Sequence, residues 1–194
     1  TGYVEQEDFG ASDSNISFGR YEKSGGAYNF VAMSSNTPGA ANAYPMVGPI
    51  VINEVMYNPN GTSDEEYIEL HNITSSAVTL QTHDDVYNVD VPWTLAEGVT
   101  YTFPLGVTIP ANGYLIVAGN PDMFNSTYGS MPLGVLVLGP YVGNLSNGGE
   151  KVDLMMPGDK EANKDRYYIR MDRLSYSDGS HPENFDGVTD PWPI

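Results

Sequence analysis

Nowhere in this chain do apolar residues recur with the i, i+3, i+4, i+7 spacing of an amphipathic helix over a useful length. Short β-branched and aromatic runs closed by Gly, Pro or Asn follow one another instead. A period of two therefore governs the fold, and the chain reads as all-β. Strands are expected over 50–57, 66–71, 77–80, 93–95, 100–103, 114–118, 135–138, 151–155 and 168–176. Turn residues separate them at roughly 8–12-residue intervals, the pattern of a sandwich or barrel. In Tyr67-Ile68-Glu69-Leu70 and Lys151-Val152-Asp153-Leu154 apolar and charged residues alternate, giving each strand one face for a core and one for water. Turn chemistry is explicit at Asn58-Pro59-Asn60-Gly61, Pro110-Ala111-Asn112-Gly113 and Ser146-Asn147-Gly148-Gly149, where Asn and Gly accept the positive φ of tight turns. The one helix is expected over 121–128, with Pro121 in its first turn after Asn120 and with Met123, Phe124 and Tyr128 toward one side. It is short enough to serve as a lid over one edge of the sandwich.

Eight Lys and Arg against 25 Asp and Glu give a formal charge of −17, and no basic residue stands between Lys23 and Lys151. A nucleic-acid binder needs clustered cations to neutralise phosphates, and a polybasic membrane anchor needs them as well. The gap excludes both, and no apolar run reaches the roughly 18 residues of a membrane span. With 40% hydrophobic and 11% aromatic residues the chain can bury enough surface to fold. Its lack of Cys removes any disulfide or thiolate-zinc framework.

A cysteine-free, strongly acidic chain with 21 Gly, 14 Pro and 14 Tyr is expected in an extracellular or cell-surface protein. Residues 1–8 carry neither the basic nor the apolar stretch of a signal peptide, and are expected to be a cut from a longer chain. The stretch 34–49 holds three prolines and no periodicity, as a linker or extended strap does. The domain boundary is placed there. Residues 1–45 form an appendage, with strands near 16–21 and 28–33 that are too few for a core of their own. Residues 46–194 form one domain.

Nucleophilic catalysis finds little support, because there is no Cys, no Gly-x-Ser-x-Gly, and only His71, His83 and His181 to act as bases. His71 is expected to fix the turn after its strand, and His181 to be a loop residue. Glu54 and Glu69 are the strand carboxylates that a glycoside hydrolase would pair across a scissile bond. Loop acids suit calcium better, since a hard cation takes oxygen ligands: Asp64, Glu65 and Glu66 in one loop, Asp84, Asp85 and Asp90 with Asn88 in the next, and Glu183, Asp186 and Asp190 near the end. None has EF-hand spacing, and plain solvation of acidic loops is the competing account. Asn15, Asn60, Asn72, Asn125 and Asn144 match the N-glycosylation acceptor pattern. Trp93, between Pro92 and Thr94 with Leu95 beyond, is expected in the core, and Trp192 in a loop.

Four motifs occur in order: Ile50-Val51-Ile52-Asn53-Glu54-Val55-Met56-Tyr57 with Glu66-Tyr67-Ile68-Glu69-Leu70-His71-Asn72; then 107–118, VTIPANGYLIVA; then 145–154, LSNGGEKVDL; then Asp172-Arg173-Leu174-Ser175-Tyr176. Together they resemble bacterial lamin-tail domains over about residues 46–194. The resemblance implies an immunoglobulin-like β-sandwich, in agreement with the strand count. It also implies a last strand after Asp190-Pro191-Trp192-Pro193 that this chain does not reach. Its own 16–21, ISFGRY, and 37–42, TPGAAN, are similar to such a tail and imply the end of a preceding repeat. Residues 16–21 are expected to fill the vacant edge, in cis or by strand exchange between molecules. The function so implied is a non-catalytic structural or binding module of a large exported bacterial protein, with neighbouring repeats and a protein or glycan as partners. A calcium-stabilised adhesion or carbohydrate-binding module, and a glycosidase using paired carboxylates, are the alternatives.

Overall fold

The computed structural model describes residues 9–22, 26, 28–161 and 165–178. The expectations for His181, Glu183, Asp186, Asp190 and Trp192 lie outside the described residues. An N-terminal hairpin pairs Phe18–Glu22 (β1) with Tyr28–Ala32 (β2). There follow Ile50–Met56 (β3), Tyr67–Asn72 (β4), Val78–Thr79 (β5), Gln81–Asp84 (β6), Val89–Pro92 (β7), Thr94–Glu97 (β8), Tyr101–Thr102 (β9), Thr108–Ile109 (β10) and Tyr114–Ala118 (β11). Then come the helix Pro121–Tyr128 (α1), Leu136–Leu138 (β12), Gly149–Lys160 (β13) and Arg166–Ser177 (β14).

Two four-stranded sheets, ordered β12-β11-β4-β3 and β14-β13-β8-β9, form an immunoglobulin-like sandwich, with the small ribbons β10-β5 and β6-β7 at its margins. The alternation read in the sequence does the sorting. Along β4, Ile68 and Leu70 are buried while Tyr67, Glu69 and His71 are partly exposed. From the opposing sheet Leu95, Val152 and Leu154 meet Ile68, Leu70, Leu115 and Val117 in one core that also holds Ile50, Phe103 and Trp93. Trp93 is buried as expected, and its Nε1–H has no partner among the described residues.

The helix follows its sequence signals residue for residue. The Asn120 side chain accepts from the Asp122 and Met123 amides, Pro121 takes the first turn, and Gly129 at φ 79° ends it. It does not lid an edge. Phe124 packs on Ile116 and Ala118, so α1 covers the outer face of β11, whose other side chains, Leu115 and Val117, point into the main core.

Two strand pairs exceed expectation. The hairpin β6-β7 is polar, so its period carries little apolar signal. β13 and β14 run twelve residues each, through Pro157, because register shifts at Leu154/Met155 and Pro157/Lys160 take up the missing donor.

Residues 18–22 pair with 28–32 rather than with either sandwich sheet, so the cis edge-filling expected of 16–21 does not occur. The hairpin closes on its own contacts. Phe18 and Phe30 stack at 6.1 Å with Phe9 beside them at 5.0 and 5.7 Å. Met33, 2% exposed, fills the space over Gly19, where a Cβ would fall 2.7 Å from its Cε. The strap folds back as well: the Ser34 amide donates to the Tyr44 carbonyl at 2.9 Å and the Met46 amide to the Ala32 carbonyl at 2.8 Å.

Candidate functional site

Among the described residues, the acids singled out from the sequence do not converge on one site. Asp64 and Glu65 sit in a single 3-10 turn, Ser63–Glu65, with Asp64 exposed. Glu66 turns the other way and is 3% exposed. Its Oε2 accepts from the Leu145 amide at 2.8 Å and the Tyr141 hydroxyl at 3.0 Å. Asp84 and Asp90, expected in a loop, lie on the paired strands β6 and β7: Asp84 accepts from the Val86 and Tyr87 amides and is bridged by Arg166, His83 holds Asp90 at 2.8 Å, and Asp85 in the turn lies almost wholly in water. Among the described residues no group of three or more His, Asp or Glu is placed to hold a metal ion.

In place of cations, tyrosine hydroxyls attend several of these carboxylates. Tyr67 donates to Glu54 at 2.7 Å, Tyr141 to Glu66, and Tyr176 to Glu150 at 2.9 Å. Burial is the first cause that raises the phenol pKa of each of the three, and the adjacent carboxylate adds to it. Burial likewise pushes the Glu66 carboxyl above its ordinary value, against the pull of its two hydrogen bonds and with help from Glu150 and Asp64. Tyr141, Glu150 and Tyr176 carried no chemical motif in the sequence. The available signal was an acidic chain that had to satisfy its carboxylates without Lys or Arg nearby.

The Arg166 hydrogen bond holds Asp84 below the usual carboxylate range. A depressed folded pKa means that the unfolded chain binds the proton more readily. The stability it confers is present above about pH 4 and is lost as pH falls toward the depressed value. Arg166→Gln is expected to flatten the acid limb of the stability curve in urea titrations between about pH 2.5 and 5, and an unchanged limb would exclude this pair as its source.

Glu54 and Glu69 stand directly opposite each other on β3 and β4, beside the bulge after Ile52. Each already has a donor, Tyr67 for Glu54 and Asn53 at 2.6 Å for Glu69. His71 does not fix a turn; its ring stacks on its cross-strand neighbour Tyr114, 4.3 Å apart and 8° from parallel.

A groove of about 710 Å³ lies between the N-terminal hairpin and the outer face of β13-β14. Phe18, Val31 and Met46 line one wall, and Met155, Ile169 and Met171 the other. On its floor Asp153 is 4% exposed and is held by Arg173 Nε and Nη2 at 2.5 and 2.6 Å. The alternation of 151–154 assigns Asp153 to the water-facing side of its strand. It is covered because its partner guanidinium lies over it and the hairpin faces it across the groove.

A sequence model of the lamin tail domain family matches residues 45–176, from the strap to the penultimate residue of β14. No curated protein matches this chain.

Proposed function

Because this chain belongs to the lamin tail domain family, through a match covering more than half its length, we propose that it is a non-catalytic structural or interaction module of an exported or cell-surface bacterial protein. The observation that carries this reading is the seating of the N-terminal hairpin. It lies along the outer face of β13-β14 with the groove between them, yet among the described residues it shares no strand pairing with either sandwich sheet. A segment set against the sandwich without strand pairing is suited to joining one module to the next. Residues 1–45 are, in this reading, the tail of a preceding repeat, and the outer face of β13-β14 is the surface against which such a tail rests. The acidic, cysteine-free composition supports a place outside the cytoplasm.

The test is a chain shortened to residues 34–194, melted alone and with a synthetic peptide of residues 9–33. Loss of the hairpin uncovers the apolar wall of Met155, Ile169 and Met171. The expected result is a midpoint lowered by several degrees and a tendency to self-associate, both reversed saturably by the peptide. A shortened chain as stable as the parent that ignores the peptide would overturn the reading.

A further inference from the structure

Where β12 hands over to β13, the connecting loop 139–148 is gripped by two carboxylates on consecutive amides. Glu66, just before β4, takes the Leu145 N–H, and Glu150, at the start of β13, takes the Ser146 N–H at 2.6 Å. Each acid also receives a phenol, Tyr141 on Glu66 and Tyr176 on Glu150. Elsewhere the loop is fixed by the reciprocal backbone pair of Thr100 and Val142, 2.9 Å in both directions. Gly98 closes the far side, since a Cβ there would fall 2.5 Å from the Glu150 carboxyl carbon.

The groups that weigh on Glu66 are acids and phenols: Asp64 from the 3-10 turn, Glu150 from β13 and Tyr141 from the loop. Behind them stands Tyr176 of β14, with the Tyr57 ring 4.6 Å from its own. An ionised Glu66 therefore sits out of water and opposite a second carboxylate.

We propose that Glu66 and Glu150 form a proton-operated latch: with Glu66 protonated the loop 139–148 stays shut, and with Glu66 ionised the facing charges loosen it and uncover Tyr141 and Leu145. Both side chains are buried when the loop is shut, at 6% and 3% exposure. Opening returns Glu66 to water, where its pKa relaxes to the ordinary carboxylate range, so opening releases a proton. The opening equilibrium then grows by up to about tenfold per pH unit, and levels once the shut-state pKa is passed. The latch would present an apolar end of the sandwich above the shut-state pKa of Glu66 and hide it below, whichever partner the module serves.

Amide exchange of the full chain, followed by NMR from about pH 5 to 8 and corrected for intrinsic rates, reads the latch directly. The protection of Leu145 and Ser146 is expected to fall with pH by up to about tenfold per unit, while that of Val117 in the core does not. Glu66→Gln keeps an acceptor and carries no charge, and should make both amides independent of pH. Glu150→Gln removes the facing charge and should shrink the total fall. Protection of Leu145 and Ser146 that is flat in the parent, or that falls equally in Glu66→Gln, would overturn the proposal. So would a Glu66 carboxyl carbon in the unmodified chain that titrates in the ordinary range.

Discussion

Asn72→Asp is expected to be the most damaging single isosteric change in this chain, costing more than the roughly 3–4 kcal/mol expected of Asn72→Ala. Asn72 ends β4 with no exposed surface. Its Nδ2 donates to the carbonyls of Ser76 at 2.8 Å and of Ile109 and Pro110 at 3.0 Å. Its Oδ1 accepts from the Thr74 amide and hydroxyl. One side chain thus ties the turn after β4 to β10 and to the hairpin that leads into β11. Alanine strands these groups, each at about 1–3 kcal/mol where water cannot reach. Aspartate keeps the shape but turns an acceptor toward three carbonyls and buries a charge without a cation.

The two variants separate by pH. Burial raises the introduced carboxyl in the folded state, so the deficit of Asn72→Asp should shrink as pH falls from 7 to 4, while that of Asn72→Ala stays level. Urea unfolding at both pH values checks this, and an aspartate that costs no more than alanine at pH 7 would refute the network account. The same burial bears on the acceptor pattern Asn72-Ile73-Thr74: its amide is spent inside the fold and is not available for a glycan.

The sequence was legible where the cause is local. β11 falls on the expected residues because Pro110-Ala111-Asn112-Gly113, with Asn112 at φ 54°, delivers an uninterrupted apolar run. α1 does so because Asn120 and Pro121 specify its first turn whatever lies above it. What depended on distant residues was not legible. Nothing in Asp64-Glu65-Glu66 says that its third acid turns inward; the reason is Tyr141 and the Leu145 amide, more than seventy residues on. Asp84 likewise reads as a loop oxygen until Arg166 arrives from β14. The strand expected over 151–155 stops short of Pro157, whereas two register shifts let β13 pass through it. In the N-terminal segment the strands were found and their pairing was not, because β1 had a nearer partner in β2 than in any vacant edge.

Asp153→Ala is expected to cost about 2 kcal/mol, less than the 3–5 kcal/mol of a wholly buried pair because Arg173 keeps 31% of its side chain in water. The loss is largely that of a guanidinium left without its acid, since Asp153 is the first cause raising the Arg173 pKa and Glu97 contributes least. Replacing both partners, Asp153→Leu with Arg173→Met, should therefore recover most of the deficit, with the non-additivity read from a double-mutant cycle. A double variant as unstable as the sum of the singles would mean that the two side chains do not act as a pair. The cycle also reports on the hairpin. Asp153 lies on the floor of the groove that the N-terminal segment overhangs, so in a chain of residues 34–194 the pair meets more water and its coupling should weaken. A coupling of the same size in both chains would place the burial of Asp153 wholly under Arg173 and remove the hairpin from the account.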